Sequence, residues 1–347
     1  VHFVDTQKAD PVEPARKREI MAQYWYPTDQ TGGARASYLP DAGLLEALLA
    51  QNYYMQSNER LNGWKDIQTH AVLDAPVSRR RKWPILLLEP GLGLTRASYT
   101  TFCEELASNG YFVAAIDPTR GGVAVLPDGR VLSANDDPAL GDPTKQNVKT
   151  AEWSGDFSFI LGQLLEQASH LSLDTRKVGT LGHSMGGSAA LQAALDDRRI
   201  LAAVDMDGSG GVVGLDRGAR VPMLFLKSDP NYSDADLAKL GRTRAQWEAM
   251  GKRGPKMFLP LQPGTHSKPV YQISIQDTGH LSYSDAPFVM PDTITRFSSH
   301  SLPAQRTLFL VTRLTRGFFD HYLLGKPWPV IESHHLPWSE VTVTQLY

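Results

Sequence analysis

The segments "WPILLLEP" (83–90), "YFVAAIDP" (111–118), "ILAAVDMDG" (200–208) and "VPMLFLKSDP" (221–230) are apolar along nearly their whole length rather than at every second residue. A strand with one face in water alternates. A continuous apolar run of this length marks a strand covered on both faces, which is the situation in a parallel sheet with helices on each side. Between the runs lie helical patterns, "SYTTFCEELASNG" (98–110) and "AEWSGDFSFILGQLLEQAS" (151–169). This alternation predicts an α/β architecture with a mostly parallel central sheet.

The flanks extend that plan. "REIMAQYWYPTD" (18–29) reads as a strand closed by a turn, and "GVAVLPDGRVL" (122–132) as a hairpin turning at Pro-Asp-Gly. In "DAGLLEALLAQNYYMQ" (41–56), Leu44, Leu45, Leu48 and Leu49 have helical spacing behind an Asp suited to capping. "VYQISIQDTGH" (270–280) supplies a further strand, and a last helix places Leu308, Val311, Leu314, Phe318 and Tyr322 on one face. Residues 231–269, a helical pattern followed by a Pro/Gly-rich loop, read as a cap-like insertion. With no repeat and no linker, residues 1–347 are expected to form one domain, elaborated at its N-terminus over about 1–80.

With 41% hydrophobic and 21% charged residues, the chain has the composition of a globular protein. Its formal charge of −2 gives no basic surface for nucleic acid. No apolar run approaches the ~20 residues needed to span a bilayer. The sole cysteine, Cys103, rules out an intrachain disulfide and a cysteine-rich metal site, and the pair His334-His335 lacks a third ligand at metal spacing. Neither cofactor nor metal is expected. The chain begins at Val1 rather than Met, which suggests either a trimmed leader or a truncated chain, the former pointing to a secreted or periplasmic protein.

Within "KVGTLGHSMGGSAALQAAL" (177–195), an apolar strand breaks at Gly182-His183-Ser184-Met185-Gly186 before a helical pattern resumes. Strand, sharp turn and helix around Gly-x-Ser-x-Gly is the context of a nucleophile elbow, in which the serine hydroxyl stands at the strand's tip beside a helix N-terminus. A serine hydroxyl is a poor nucleophile at neutral pH and needs a base and a group that orients the base. His280, in the loop after the last predicted strand, is the candidate base, with His266 in reserve and His183 read as packing. Asp207 and Asp229 both end strands from which a carboxylate could reach the imidazole, whereas Asp205 points the other way along its strand. Spacing alone leaves both candidates open. The oxyanion formed in acyl transfer needs backbone donors, for which the N–H of Met185 and the N–H of Leu92, in the glycine-rich "EPGLGLTRASY" loop, are suited.

These segments together resemble the platelet-activating-factor acetylhydrolase family of α/β-hydrolases, in its bacterial esterase-like branch. The likeness rests on "THAVLDAPV", "PGLGLTRASYTTFCEELASNGYFVAAIDPTRGG", "LPDGRV", "GHSMGGSAA", "AVDMDG" and "TGHLSYSDAPF", in this order along most of the chain. It implies an α/β-hydrolase fold and a cofactor-free serine esterase acting on short-chain acyl esters, including phospholipids with a short or oxidised acyl group. Carried over, the pattern makes Ser184 the nucleophile, Asp207 the acid in preference to Asp229, His280 the base, and the amides of Leu92 and Met185 the oxyanion hole. The chain departs at Pro90, where many relatives carry histidine, and in the 231–269 insertion. Two other readings stand beside this one: a broad carboxylesterase or cutinase-like polyesterase, for which Trp153, Tyr99, Tyr283 and Phe288 would be lining candidates, and a binding protein on the same fold without activity.

Overall fold

A computed structural model describes residues 1–41, 43–51, 62–208, 212–214, 218–253, 266–290, 302–332 and 336–345. Along the chain, β1 (His2–Ala9) and β2 (Lys17–Trp25) form a hairpin, and β3 (Arg35–Ser37) pairs with β4 (Gln68–Val72) across helix α1 (Leu44–Gln51). Then come β5 (Trp83–Glu89), α2 (Thr100–Ser108) and β6 (Phe112–Asp117), and the ribbon of β7 (Val123–Val125) with β8 (Val131–Ser133). Helix α3 (Gln146–Glu166) leads to β9 (Leu173–His183), α4 (Met185–Asp196), β10 (Ala202–Met206) and β11 (Met223–Asp229). The short α5 (Asp234–Lys239) and α6 (Arg244–Arg253) precede β12 (Val270–Gln276), α7 (Ala304–Leu324) and β13 (Val341–Gln345).

Nine of the described strands form one sheet in the order β1-β2-β6-β5-β9-β10-β11-β12-β13. The six from β6 to β12 are parallel, as the continuous apolar runs require. Every residue of β5 and β6 is buried. Ile85 and Leu87 join one core with α3 and α4, while Leu86 and Leu88 join the opposite core with α1, α2 and α7. The period of two along a strand thus feeds both helix layers. Three antiparallel strands, β1, β2 and β13, complete the edges.

The predicted elements match with shifted ends. The 151–169 helix begins earlier, at Gln146, and the 41–56 helix is seen as Leu44–Gln51, with residues 42 and 52–61 outside the described residues. Of the 231–269 insertion, α5 and α6 are described, whereas 254–265 lie outside the described residues, as do His334 and His335. On α7, Val311, Leu314 and Phe318 are buried, and Leu308 and Tyr322 pack beside them. Among the described residues no helix is long and apolar enough to cross a membrane.

From β5 the chain winds through α2 to β6 on one side, and β9 then pairs with the other side of β5. The winding therefore reverses between β5 and β9. At such a switch point the loops leaving the carboxyl ends of two adjacent strands diverge and open a crevice. The "EPGLGL" loop leaves one of these strands, and the Gly-His-Ser-Met-Gly turn leaves the other.

Candidate active site

Ser184 sits at the tip of β9 with φ +55° and ψ −122°, a conformation that costs a non-glycine residue on the order of 1–3 kcal/mol. The surroundings hold it there. Its N–H donates to the Met206 carbonyl at 2.8 Å, and its own carbonyl accepts from Ser188 N–H at 3.2 Å as α4 begins. A Cβ at Gly182 would collide with the Gly186 carbonyl, and one at Gly186 with the carbonyl oxygens of Glu89 and Pro90. Only glycine lets the turn close this tightly against the loop after β5.

His280 opens a short 3-10 turn, His280–Tyr283, after β12. Its Nε2 lies 2.9 Å from Ser184 Oγ and its Nδ1 lies 2.7 Å from Asp207 Oδ2. Asp207 follows β10 with φ +57°, and Ser228 donates both its N–H, to Oδ1, and its hydroxyl, to Oδ2, each at 2.8 Å. The structure thus brings together three side chains drawn from the ends of three strands. It leaves Asp229 exposed at the end of β11, where its carbonyl accepts from Asp277 N–H, and it leaves His266 exposed.

Three carboxyls lie near the carboxyl ends of β5 and β10, the strands on either side of β9, and their surroundings separate them. Burial pushes Glu89 well above the usual carboxylate range, an effect increased by Asp156 and opposed by Arg18. Asp205 is raised well above that range by burial, although Gly208 N–H donates to it at 2.6 Å. Burial would raise Asp207 too, but its hydrogen bond and attraction to His280 and the two donors of Ser228 outweigh that and hold it below its ordinary value. Asp207 is therefore the anion facing the imidazole. Its Oδ2 accepts from His280 Nδ1–H, which leaves the lone pair of Nε2 toward the serine hydroxyl.

The loop after β5 runs against the nucleophile turn: a Cβ at Gly91 would meet Ser184 Cβ at 3.3 Å. Gly91 donates its amide to Tyr99 Oη at 3.0 Å, Gly93 to the Gly121 carbonyl and Leu94 to the Gly91 carbonyl. The half-buried Leu92 lies between these anchored amides, and the half-buried Met185 stands in the first turn of α4, where amides lack intrahelical acceptors. Arg96 fixes the far end of the loop, its N–H donating to Asp117 Oδ1 at 2.6 Å and its guanidinium pairing with Asp117 and Asp41.

Three contributors were not legible as site residues. Ser228 holds the Asp207 carboxylate, and only the β10–β11 pairing, Met206 opposite Leu226, reveals that the two lie side by side. Asp285 ties the His280 loop to α2 by accepting from Thr101 N–H at 3.3 Å and from the Thr101 hydroxyl. His183 is buried, as its reading as packing predicts, with its ring 4.6 Å from that of His280. Burial, and then the neighbouring His280, push it down to about 3, so it is neutral. Of the aromatic candidates, Trp153, Tyr99 and Tyr283 are buried and Phe288 is half-buried.

Comparison with known proteins sets this geometry in a lineage. The model of the family described as "Platelet-activating factor acetylhydrolase, isoform II" matches residues 10–122 and 145–320. The chain belongs to this family. Among curated relatives in the acetylhydrolase family, a probable 1-alkyl-2-acetylglycerophosphocholine esterase of Arthroderma benhamiae is 26% identical over 275 residues, covering 74% of this chain and 65% of that protein. The platelet-activating factor acetylhydrolase of Cavia porcellus is 25% identical over 62% of this chain and 56% of its own length. The chain thus spans less than two thirds of the length of these two relatives. A solved ferulic acid esterase from Streptomyces cinnamoneus superposes with a TM-score of 0.76 at 26% identity, covering 99% of this chain and 94% of that one. The acetylhydrolase-family chain therefore has the α/β-hydrolase fold.

Proposed function

We propose that this chain is a serine carboxylic-ester hydrolase working through an acyl-enzyme, with Ser184 as nucleophile, His280 as general base and Asp207 as the orienting acid. The observation that carries the reading is His280 bridging Ser184 Oγ at 2.9 Å and Asp207 Oδ2 at 2.7 Å. His280 Nε2 takes the hydroxyl proton as Ser184 Oγ attacks the ester carbonyl. The Leu92 and Met185 amides receive the developing oxyanion. Collapse expels the alcohol, which takes the proton from His280, and a water repeats the sequence on the acyl-enzyme to release the carboxylic acid.

The preferred substrates in this reading are short-chain acyl esters, including phospholipids with a short or oxidised acyl group. The relatives' names, which specify an acetylated glycerophosphocholine and platelet-activating factor, favour that class. Residues 1–347 act in this reading as one domain, with 231–269 as a cap beside the site. Tyr232 supports the cap: it stacks edge-on to Trp247 of α6 at 5.0 Å, and its hydroxyl is raised by burial and by the Asp207 charge.

A second reading, a broader carboxylesterase, is favoured by the match to the ferulic acid esterase over 94% of that chain. Turnover of p-nitrophenyl acetate, butyrate and octanoate, a feruloyl ester and a polyester film separates the two. A steep fall with acyl length supports the short-chain reading, and efficient feruloyl ester or film cleavage supports the broader one. Loss of all these activities in Ser184→Ala is expected under both, and retention would refute both.

A further inference from the structure

We infer that Tyr99 and His183 form a positioning relay that ties the loop carrying Leu92 to the loop carrying His280. The inference rests on the esterase reading above and deepens it.

The relay is a continuous line of hydrogen bonds through buried groups. Gly91 N–H donates to Tyr99 Oη at 3.0 Å, Tyr99 Oη lies 2.7 Å from His183 Nδ1, and His183 Nε2 lies 2.9 Å from the main-chain carbonyl of His280. Tyr99 is fully buried and His183 nearly so. A carbonyl oxygen can only accept, so the proton of the imidazole sits on Nε2. The ring is neutral, so Nδ1 keeps a lone pair and receives the tyrosine hydroxyl proton. The Tyr99 oxygen, donating its proton to His183, accepts from Gly91 N–H. Every donor and acceptor in the line is fixed by its neighbour.

The two ends of this line are the groups that must keep register during acyl transfer. Gly91 immediately precedes Leu92, the proposed oxyanion donor, and the His280 carbonyl belongs to the residue proposed as base. Neither Tyr99 nor His183 touches the reacting atoms in this account. They set the distance between donor and base, to which rates are steeply sensitive, a misplacement of about 1 Å costing on the order of a hundredfold. A neutral ring is also required beside His280, because a second imidazolium 4.6 Å away would oppose protonation of the base. Histidine serves both ends of the line because its two nitrogens are a donor and an acceptor on opposite sides of one rigid ring.

The test uses the full chain with Tyr99→Phe, His183→Gln and His183→Leu, each checked by thermal melting. Three readouts are taken, p-nitrophenyl acetate kinetics, the rate of Ser184 labelling by a fluorophosphonate and ¹⁵N-histidine NMR, and the Tyr99→Phe/His183→Leu double variant is measured beside the single ones. The relay predicts that Tyr99→Phe lowers kcat about ten- to a hundredfold with KM within about twofold. It also shifts the His183 Nδ1 resonance. His183→Gln, whose amide can still donate to the His280 carbonyl, should be faster than His183→Leu, and the double variant no slower than His183→Leu alone. A folded Tyr99→Phe with unchanged kcat and labelling rate overturns the relay while leaving the esterase reading intact. Should Tyr99→Phe fail to fold, equal rates for His183→Gln and His183→Leu overturn it instead. A wild-type chain that neither turns over ester nor labels at Ser184 removes the esterase reading and the relay together.

Discussion

Ser228 grips Asp207 at both carboxylate oxygens, its amide on Oδ1 and its hydroxyl on Oδ2, so the aspartate cannot rotate away from His280 without breaking two charge-assisted hydrogen bonds. That arrangement separates Asp207 from Asp229, which is exposed at the end of the neighbouring strand. Asp207→Asn should lower kcat by about a thousand- to ten-thousandfold, because an amide orients the wrong imidazole tautomer. Asp229→Asn should stay within about twofold. Steady-state ester hydrolysis by the two variants checks this, and comparable losses in both would displace Asp207.

Ser228→Ala removes one of the two grips and leaves the backbone donor. A hydrogen bond to a charged group contributes about 1.5–3 kcal/mol, and the remaining amide limits the damage to roughly tenfold in kcat. Unaltered kinetics would show that the hydroxyl has no part in orienting the acid.

Gly186→Ala places a methyl group where the carbonyls of Glu89 and Pro90 already stand. Those neighbours are main-chain atoms, so the turn or the loop after β5 must move. Overpacking of this kind costs about 1–3 kcal/mol, and the displaced turn also separates Ser184 from the Leu92 amide. The variant should show a lower urea midpoint and little esterase activity. An alanine variant with the wild-type midpoint would mean that the contact is looser than described.

Asp285 provides a pH signature. Burial, opposed by its hydrogen bonds from Thr101 and Tyr38, raises its carboxyl from 3.8 to about 7. Between those values the folded chain holds a proton that the unfolded chain has released. The contribution to stability is therefore fully present below about pH 4, declines as the pH rises and is lost above about 7. Asn at this position cannot titrate. The melting temperature of the wild-type chain relative to Asp285→Asn should fall from pH 5 to pH 8, and a flat or rising difference would contradict the buried, protonated carboxyl.

The parallel strands were legible because burial on both faces writes a continuous apolar run, as in β5 and β6. The edge strands were not. In β1 only Phe3 and Asp5 are buried among eight residues, and β13 is a five-residue strand, so neither carries a pattern distinct from a loop. Ser184 and His280 stand out in sequence because each follows a recognisable strand, whereas Asp207 shares that position with Asp229 and is preferred only through the family resemblance. The groups that hold them do not, since Ser228 is 21 residues from Asp207, Tyr99 84 from His183, and Thr101 184 from Asp285. Only the sheet register and the loop packing bring those partners together.

The central claim is that Ser184 is an activated nucleophile. Mass spectrometry of the chain after exposure to a fluorophosphonate measures this directly. The account predicts one adduct, on the peptide containing Ser184, formed much more slowly in His280→Ala and absent in Ser184→Ala. No adduct on the wild-type chain, or an undiminished adduct in Ser184→Ala, would contradict it.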